Sequence, residues 1–483
     1  AAGILNARER IDLLCDPGSW IEIGEFAWSA REEDRGRTPA EGIVTGFGRV
    51  EGRDVAVASF DLTVLGASSS ATNIRKLDFL KKRASAAGIP CAFLIESAGA
   101  RMPDIQGATG MGRIGLLSSM SRDRDSPWVS AVLGPCYGMG TWYAVMSDFA
   151  VMRKDATFSV SSPKVTSVAM SQEVTPEELG GSDLHAETTG QVDLVTDTDE
   201  EAIAALRRFL AYLPSNAAEA PPAPGGAPEE VEALIPPERH KIYDGRKLVA
   251  LLADEGSVMP FRPRFGRTLE TALARIDGRT VGLIASNPMR KGGAIDGPSC
   301  RKMTEFTVLC DSFNIPLILL ADTPGFLVGL QAEREGVAGE IMNNIRALTL
   351  ATVPKLAVVV RKSYGQAYLN LGGGIADALA GLKTLHDAGA DRRGRLRRPR
   401  RRRLGRAQPP ARGWRGLRDA DAGHGRLELV LGTGGHVRRP RRDPPRGDAR
   451  LALADARGHA PPPHGRGRRP PPRHLAHQPL KGT

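Results

Sequence analysis

The chain repeats itself at long range. Gly52-Arg53 and Val55 return as Gly278-Arg279 and Val281, Arg75-Lys76 as Arg301-Lys302, Ile89-Pro90 as Ile315-Pro316, and Gly99 as Gly325. Each interval is 226 residues, as in 278−52, and it grows by one where residues 132–140 (VLGPCYGMG) lie over 359–367 (VVRKSYGQA). Solenoid repeats run to tens of residues, so an interval this long is one domain duplicated. Two copies of one fold imply two related pockets, and a reaction that holds two substrates together.

With 483 residues and 41% hydrophobic content, the chain has room for two or three domains with real cores. Its apolar runs, such as residues 315–321, are too short to span a bilayer. The opening Ala1-Ala2-Gly3-Ile4 lacks the basic-apolar-small succession of a secretory signal. The five cysteines are scattered, odd in number and never spaced C-x-x-C, which argues against a zinc ribbon or a disulfide framework. A cytoplasmic enzyme without a metal is expected.

The net charge of +11 conceals a division. Residues 391–483 hold 26 of the 66 basic and 7 of the 55 acidic groups, a net +19, so the first 390 residues carry −8. That tail has 25 Arg, one Lys and 13 Pro but no Ser, Asn, Ile, Met, Phe, Tyr or Cys. It lacks most of the large apolar side chains of a packed domain, and also the Lys, Ser and aromatic mixture of a nucleic-acid arm. Arg, Pro, Gly, Ala and His are what GC-rich codons give when read out of frame. A frame break shortly after Gly374 is therefore expected, because residues 148–158 find no visible likeness near 375–385. The alternative, a nucleic-acid-binding protein working through the tail, is opposed by the acidic body.

Secondary-structure signals follow βαβ order in both copies. A helix is expected at residues 6–15, strands at 42–50 and 55–60 around a Glu51-Gly52-Arg53-Asp54 turn, a helix at 71–87, and strands at 91–96 and 128–133. The second copy should give a helix at 246–254, a strand at 280–286, a helix at 301–313, and strands at 316–322 and 355–360. The Pro- and Ala-rich residues 215–237 read as a tether. In such folds ligands gather at strand ends.

Two strand-to-turn segments in each copy carry the candidate chemistry. Residues 130–142 (SAVLGPCYGMGTW) run from an apolar strand through Gly134-Pro135 and Gly138-Met139-Gly140 into a helix, and Tyr364-Gly365-Gln366-Ala367-Tyr368 repeats this. The upstream partners are Glu96-Ser97-Ala98-Gly99-Ala100-Arg101 and Ala321-Asp322-Thr323-Pro324-Gly325-Phe326. Small residues let a backbone approach a ligand, and a first helical turn offers unpaired N–H groups, so such turns can form oxyanion holes. They can equally be tight joints that need glycine for packing. Neither matches a phosphate loop or a dinucleotide fingerprint, and His185 and His240 are lone histidines without catalytic company.

The chain resembles the carboxyltransferase (β) subunits of biotin-dependent acyl-CoA carboxylases, of the propionyl-CoA and acetyl-CoA carboxylase type. The matching stretches are residues 7–14 (ARERIDLL), Gly134-Pro135-Cys136, Glu178-Leu179-Gly180-Gly181, Phe313-Asn314-Ile315-Pro316-Leu317, Asp322-Thr323-Pro324-Gly325-Phe326 and Arg361-Lys362-Ser363-Tyr364-Gly365, within roughly residues 3–374. The resemblance implies an α/β chain of tandem crotonase-like (ClpP/crotonase) domains ending in an anomalous Arg/Pro-rich segment. Residues 1–213 would form an acyl-CoA domain, 214–235 a linker, 236–390 a truncated biotin-side domain, and 391–483 a basic low-complexity tail read out of frame.

It further implies transfer of a carboxyl group from carboxybiotin, carried on a partner, to the α-carbon of a short acyl-CoA without a protein base. Gly138 and Met139 would supply N–H groups to the thioester enolate, and Gln366 and Ala367 would supply them to the biotin ureido oxygen. Ala98, Gly99, Ala100, Arg75, Lys76, Gly325, Phe326, Tyr368 and Leu369 would bind substrate, with Arg75 and Lys76 toward the CoA phosphates. Here Gly138-Met139 stands where the family has Gly-Gly, and Gln366-Ala367 where it has Gly-Ala. Leu369 stands at an acyl-selecting position where propionyl-type enzymes have Asp, so a longer or branched acyl chain is conceivable. With no Met-Lys-Met motif and no ATP-binding region in the sequence, a biotin carboxylase/biotin carrier (α) subunit is the expected partner, and a homo-hexamer the expected assembly. The same half-reaction run backwards, in a biotin-dependent decarboxylase, is the related alternative.

Overall fold

The computed structural model describes residues 4–114, 122–223 and 241–381. The first half opens with helix α1 (Ala7–Leu14), capped by Asn6, whose side chain accepts from the Glu9 amide while Glu9 reaches back to the Asn6 amide. Strands β1 (Ile21–Ile23), β2 (Ile43–Val50) and β3 (Arg53–Phe60) are antiparallel. Helix α2 (Ala71–Ala87) then crosses to β4 (Cys91–Ser97), which pairs in parallel with β3 and with β5 (Trp128–Tyr137). Ser70 caps α2 at its start, and Gly88, at φ +63°, ends it in the left-handed conformation glycine adopts without cost. All seven residues of β4 are buried, which explains the continuous apolar run CAFLI that opens it: a parallel strand covered on both faces has no solvent side.

After β5 come helix α3 (Met139–Met146), β6 (Phe149–Arg153), β7 (Thr157–Ser159), β8 (Leu194–Thr196) and helix α4 (Asp199–Leu210). The strand order is β1-β2-β3-β4-β5-β6-β8, with β7 beside β5. The second half repeats the plan with helix α5 (Gly245–Leu252), β9 (Met259–Pro260), β10 (Leu269–Ile276), β11 (Arg279–Ser286), helix α6 (Gly297–Ser312), β12 (Leu317–Thr323), helix α7 (Val337–Leu350), β13 (Lys355–Ser363) and β14 (Ala378–Gly381). Its order is β14-β13-β12-β11-β10-β9. Strand β10, unmarked by the sequence reading, pairs with β11 over its full length.

The repeat is kept at the level of single hydrogen bonds. Asp16 accepts from the Glu51 and Gly52 amides, and Asp254 accepts from those of Asp277 and Gly278, so each hairpin turn is held by a carboxylate from outside it. The duplicated lysines are structural in the same way. Lys76 Nζ lies 2.6 Å from the Ile43 carbonyl and 2.7 Å from that of Ala40, while Lys302 Nζ lies 2.6 Å from the Leu269 carbonyl.

Likeness also continues beyond Gly374, where the sequence shows none. The Asp148 amide donates to Trp128 C=O at 2.7 Å, and its carboxylate accepts from the Trp128 amide at 2.9 Å. Asp377 does the same with Lys355, at 2.9 Å and 2.8 Å. β6 and β14 thus start alike beside β5 and β13, and the fold persists to Gly381. Residues 377–381 therefore continue the repeat past Gly374, near which the sequence reading expected a frame break. The interval has widened to 229 here (377−148), which hides the match from a fixed-register comparison.

One buried core runs through both halves, from Leu14, Phe149, Leu206 and Phe209 to Phe261, Phe306, Leu319 and Leu348. Phe149 stacks on Phe209 at 4.4 Å, and Phe261 lies 5.2 Å from Phe306. Polar bonds also cross between the halves: Arg262 Nε meets Asp193 at 2.6 Å, and Arg208 donates to the Gly256 and Val258 carbonyls. The tether's described part is pinned to both halves, since Asn216 donates to Gly88 C=O and Asn314 donates to Ala217 C=O.

His185 is a structural residue. It lies in a π-helical turn (Leu184–Thr189), its Nε2 2.6 Å from Phe158 C=O and its Nδ1 3.1 Å from Thr189 Oγ1, with the ring 4.3 Å from that of Phe158. Burial lowers its pKa from 6.5, so the unfolded chain binds the proton first on acidification and stability falls as pH drops below that value. Thermal melts from about pH 7 to about pH 5 should therefore show a falling midpoint. His185→Gln, which keeps a donor for Phe158 C=O, should fall less over that window; parallel curves would remove His185 as the cause.

Candidate functional site

Each half brings its two glycine turns together at the carboxyl end of the parallel strands. In the first, the Ser69 amide donates to Gly99 C=O at 2.8 Å and the Arg101 amide donates to Ser69 C=O at 2.9 Å. The second repeats this with Ile295, Gly325 and Leu327, at 3.0 Å and 2.8 Å. A residue between two such bonds has its own N–H on the opposite side. The amides of Ala100 and Phe326 are therefore turned away from these bridges, and neither has a hydrogen-bond partner among the described residues.

The second turn of the first half lies against this one. A methyl group built on Gly138 would stand 3.5 Å from Gly99 Cα and 3.9 Å from Ala100 N. Gly138, at φ +61° and ψ −126°, occupies a region that L side chains enter only under strain, and Gly365 has the same φ of +61°. The chain thereby enters α3 with the amides of Met139 and Gly140 open: among the described residues neither has a partner. Gly138 itself differs from expectation, because its N–H donates to Val160 C=O at 3.2 Å. The amides left open at this turn are therefore those of Met139 and Gly140. Packing also demands glycine here, since a methyl on Gly140 would come within 2.9 Å of Cys136 Sγ.

In the second half the Tyr364 amide reaches Thr323 C=O at 3.3 Å, fastening the two turns together. The amides of Gly365, Gln366 and Ala367 have no partner among the described residues. Tyr368 lies flat against Gly373, where a methyl would fall 2.3 Å from its ring, and Leu369 is exposed beside Gly374. Ala98 is exposed with its amide on Gly66 C=O, so it offers surface and no donor. Gly99, at φ +98°, and Gly325, at φ +132°, provide the bends, with their amides held by Ser97 Oγ and Thr323 Oγ1 at 3.1 Å each.

The expectation for Arg75 and Lys76 divides. Arg75 is exposed at the start of α2. Lys76 is turned inward onto two carbonyls, and burial pushes its pKa down to about 8.

Several anchors escaped the sequence reading. Arg101 is buried, with Nη1 2.6 Å from Glu41 and Nε 3.2 Å from Ser68 Oγ, which ties the first turn to the entry of α2. Arg10 pairs with Glu96, and Arg361 with Asp322, directly beneath the turns. The available signal was a charged residue ending an otherwise apolar strand, in CAFLIES and in LILLADT.

Comparison with known proteins agrees with this geometry. The carboxyl transferase domain family matches residues 1–385. The methylmalonyl-CoA carboxyltransferase 12S subunit of Propionibacterium freudenreichii subsp. shermanii is 35% identical over 376 residues, covering 76% of this chain and 72% of that protein. The propionyl-CoA carboxylase beta chain of Roseobacter denitrificans is 36% identical over 379 residues, covering 76% and 74%. Among solved structures, the transcarboxylase 12S hexamer with methylmalonyl-coenzyme A and methylmalonic acid bound superposes with a TM-score of 0.74 at 32% identity, covering 78% of this chain and 76% of that one. The tandem sheets, the paired turns and these likenesses together place the chain in the carboxyl transferase family, as a biotin-dependent acyl-CoA carboxyltransferase with a crotonase-like fold.

Proposed function

We propose that the two turn sets are two oxyanion holes of one carboxyl transfer, the first for an acyl-CoA and the second for biotin. The observation that carries this is the recurrence of open amides in both halves: Ala100 with Met139 and Gly140, and Phe326 with Gln366 and Ala367. Two N–H groups converging on a thioester oxygen stabilise the negative charge that develops when the α-carbon loses its proton, without an acidic side chain. The second set fits a ureido oxygen, on which negative charge would develop as the N-carboxyl group leaves, so that backbone donors there would stabilise it. Carboxybiotin, when bound there, supplies the carboxyl group and a nitrogen able to take the α-proton. The chain's own residues hold the two oxygens and keep the glycine-lined approach clear.

Exposed apolar groups flank both turns, among them Val160, Val328, Leu330, Tyr364 and Leu369. They support an assembly in which another subunit covers each site, and the hexameric relative supports a homo-hexamer. A biotin-bearing α-type subunit is the proposed partner, and the cytoplasm the proposed compartment; among the described residues no helix is long and apolar enough to cross a membrane. The apolar Leu369 supports a short acyl chain, branched or longer than propionyl, as substrate.

The family match ends at residue 385, where the composition changes. We place the frame break between Gly381 and residue 391. Peptide mass mapping of the natural protein should return peptides of the adjacent frame beyond that point, and recovery of the Arg/Pro-rich peptides instead would refute the break.

Met139 gives a direct test of the first hole. It is the first residue of α3, where proline is tolerated and where the substitution removes the amide donor. Met139→Pro should lower kcat by about 100-fold or more, whereas Met139→Ala, which keeps the N–H and removes the side chain, should lose far less. Equal losses in the two variants would count against the backbone donor.

A further inference from the structure

In each half, the strand that delivers the first turn ends on a buried carboxylate. Glu96 is 7% exposed and Asp322 is 0% exposed, and they occupy the same place in β4 and β12. Each stands opposite the same irregularity. From Ile95↔Val132 to Ser97↔Cys136, β4 advances two residues while β5 advances four, and from Ala321↔Val359 to Thr323↔Ser363 β12 and β13 do likewise. The extra residues in β5 and β13 re-aim the chain into the turn that bears Gly138 or Gly365.

A buried carboxylate must be neutralised, and the two halves do so differently. Glu96 Oε2 is met by Arg10 Nη1 at 2.6 Å. Arg10, from α1, also places Nε 2.9 Å from Asp199, which in turn receives Arg153 at 2.5 Å. Gly134 leaves the room, for a methyl there would lie 2.2 Å from Glu96 Oε1. In the second half the equivalent of Gly134 is Arg361, the cation itself, with Nε 2.9 Å from Asp322 Oδ2. The shorter aspartate suits that nearer partner. Its other oxygen accepts from the Lys362 amide at 3.3 Å, and the Arg361 guanidinium lies over the Tyr243 ring, 4.9 Å from its centroid.

We propose that Glu96–Arg10 and Asp322–Arg361 are positioning ion pairs, one for each oxyanion turn. Each fixes its bulge, and through it the spacing between the open amides of the two turns. The first pair serves the acyl-CoA side and the second the biotin side. This rests on the carboxyltransferase reading above.

The test uses the full chain with its biotin-carrying partner and compares Glu96→Gln with Asp322→Asn. Two readouts are needed: the kcat and KM of transfer to acyl-CoA, and the slow decarboxylation of carboxylated carrier without acyl-CoA, which involves the second hole alone. Glu96→Gln should lower transfer kcat about tenfold or more and leave the acyl-CoA-independent decarboxylation within about twofold of wild type. Asp322→Asn should lower that decarboxylation about tenfold and leave the KM for acyl-CoA within about twofold. General loosening of the fold would move both readouts in both variants. Arg10→Lys and Arg361→Lys, which keep the charge and lose the guanidinium fork, should show the same side-selectivity in weaker form and decide the matter if a carboxylate variant fails to fold. Losses without side-selectivity, or no loss in folded variants, would overturn the proposal. A wild-type protein that transfers no carboxyl group to any acyl-CoA would instead overturn the functional reading.

Discussion

The site depends on how a parallel strand ends. β4 and β12 pair in parallel with a strand on each side, and beyond the last rung the next backbone groups are free. Bridges to Ser69 and Ile295 take up one side of the departing chain, which leaves the Ala100 and Phe326 amides facing the other way. A helix starting on the neighbouring strand contributes its own unpaired first-turn donors. Two unsatisfied backbone ends are thus set side by side, and glycine is required where they touch. The open donors are an outcome of main-chain geometry, which explains how side chains at these turns can vary between Met139-Gly140 and Gln366-Ala367 while the arrangement persists.

Much of this was legible in the sequence because duplication writes each constraint twice. The first hairpin, α2 and α6, and the fully buried β4 and β12 all lay close to their expected ranges. Position alone, however, does not disclose purpose. Arg75-Lys76 recurs as Arg301-Lys302, and the sequence suggests phosphate contact. The recurrence instead reflects Lys76 and Lys302 reaching the first carbonyls of β2 and β10. The open amides of Ala100 and Gly140 were invisible, because a backbone donor leaves no signature in side-chain identity. Gly138 was expected as a donor, and in the structure its N–H is bonded to Val160 C=O.

The two copies have diverged most where they neutralise charge. The carboxylate beneath the turn is kept, as Glu96 or Asp322, but its arginine comes from α1 in one half and from the bulge in the other. A change of one methylene in the acid accompanies a change in which element supplies the cation. In the first half this draws in Asp199 and Arg153, so that α1, β4, β6 and α4 share one polar network inside an otherwise apolar core. Removing any one member would leave a buried charge without its partner, which costs about 3–5 kcal/mol in typical cases.

That network also shows what the second half requires after β14. In the first half α4 buries Ala202, Ile203, Leu206, Phe209 and Leu210, each at most 2% exposed. At about 1.5–3 kcal/mol for each of the larger side chains, this burial amounts to roughly 10 kcal/mol, as much as the whole net stability of an ordinary domain. A second half built on the same plan needs an equivalent cover over β13 and β14, carried by apolar residues in helical register. The printed residues 391–483 contain no Ile, Met or Phe, and their 25 arginines oppose burial. That composition supports the proposed frame break, and the family match ends at residue 385.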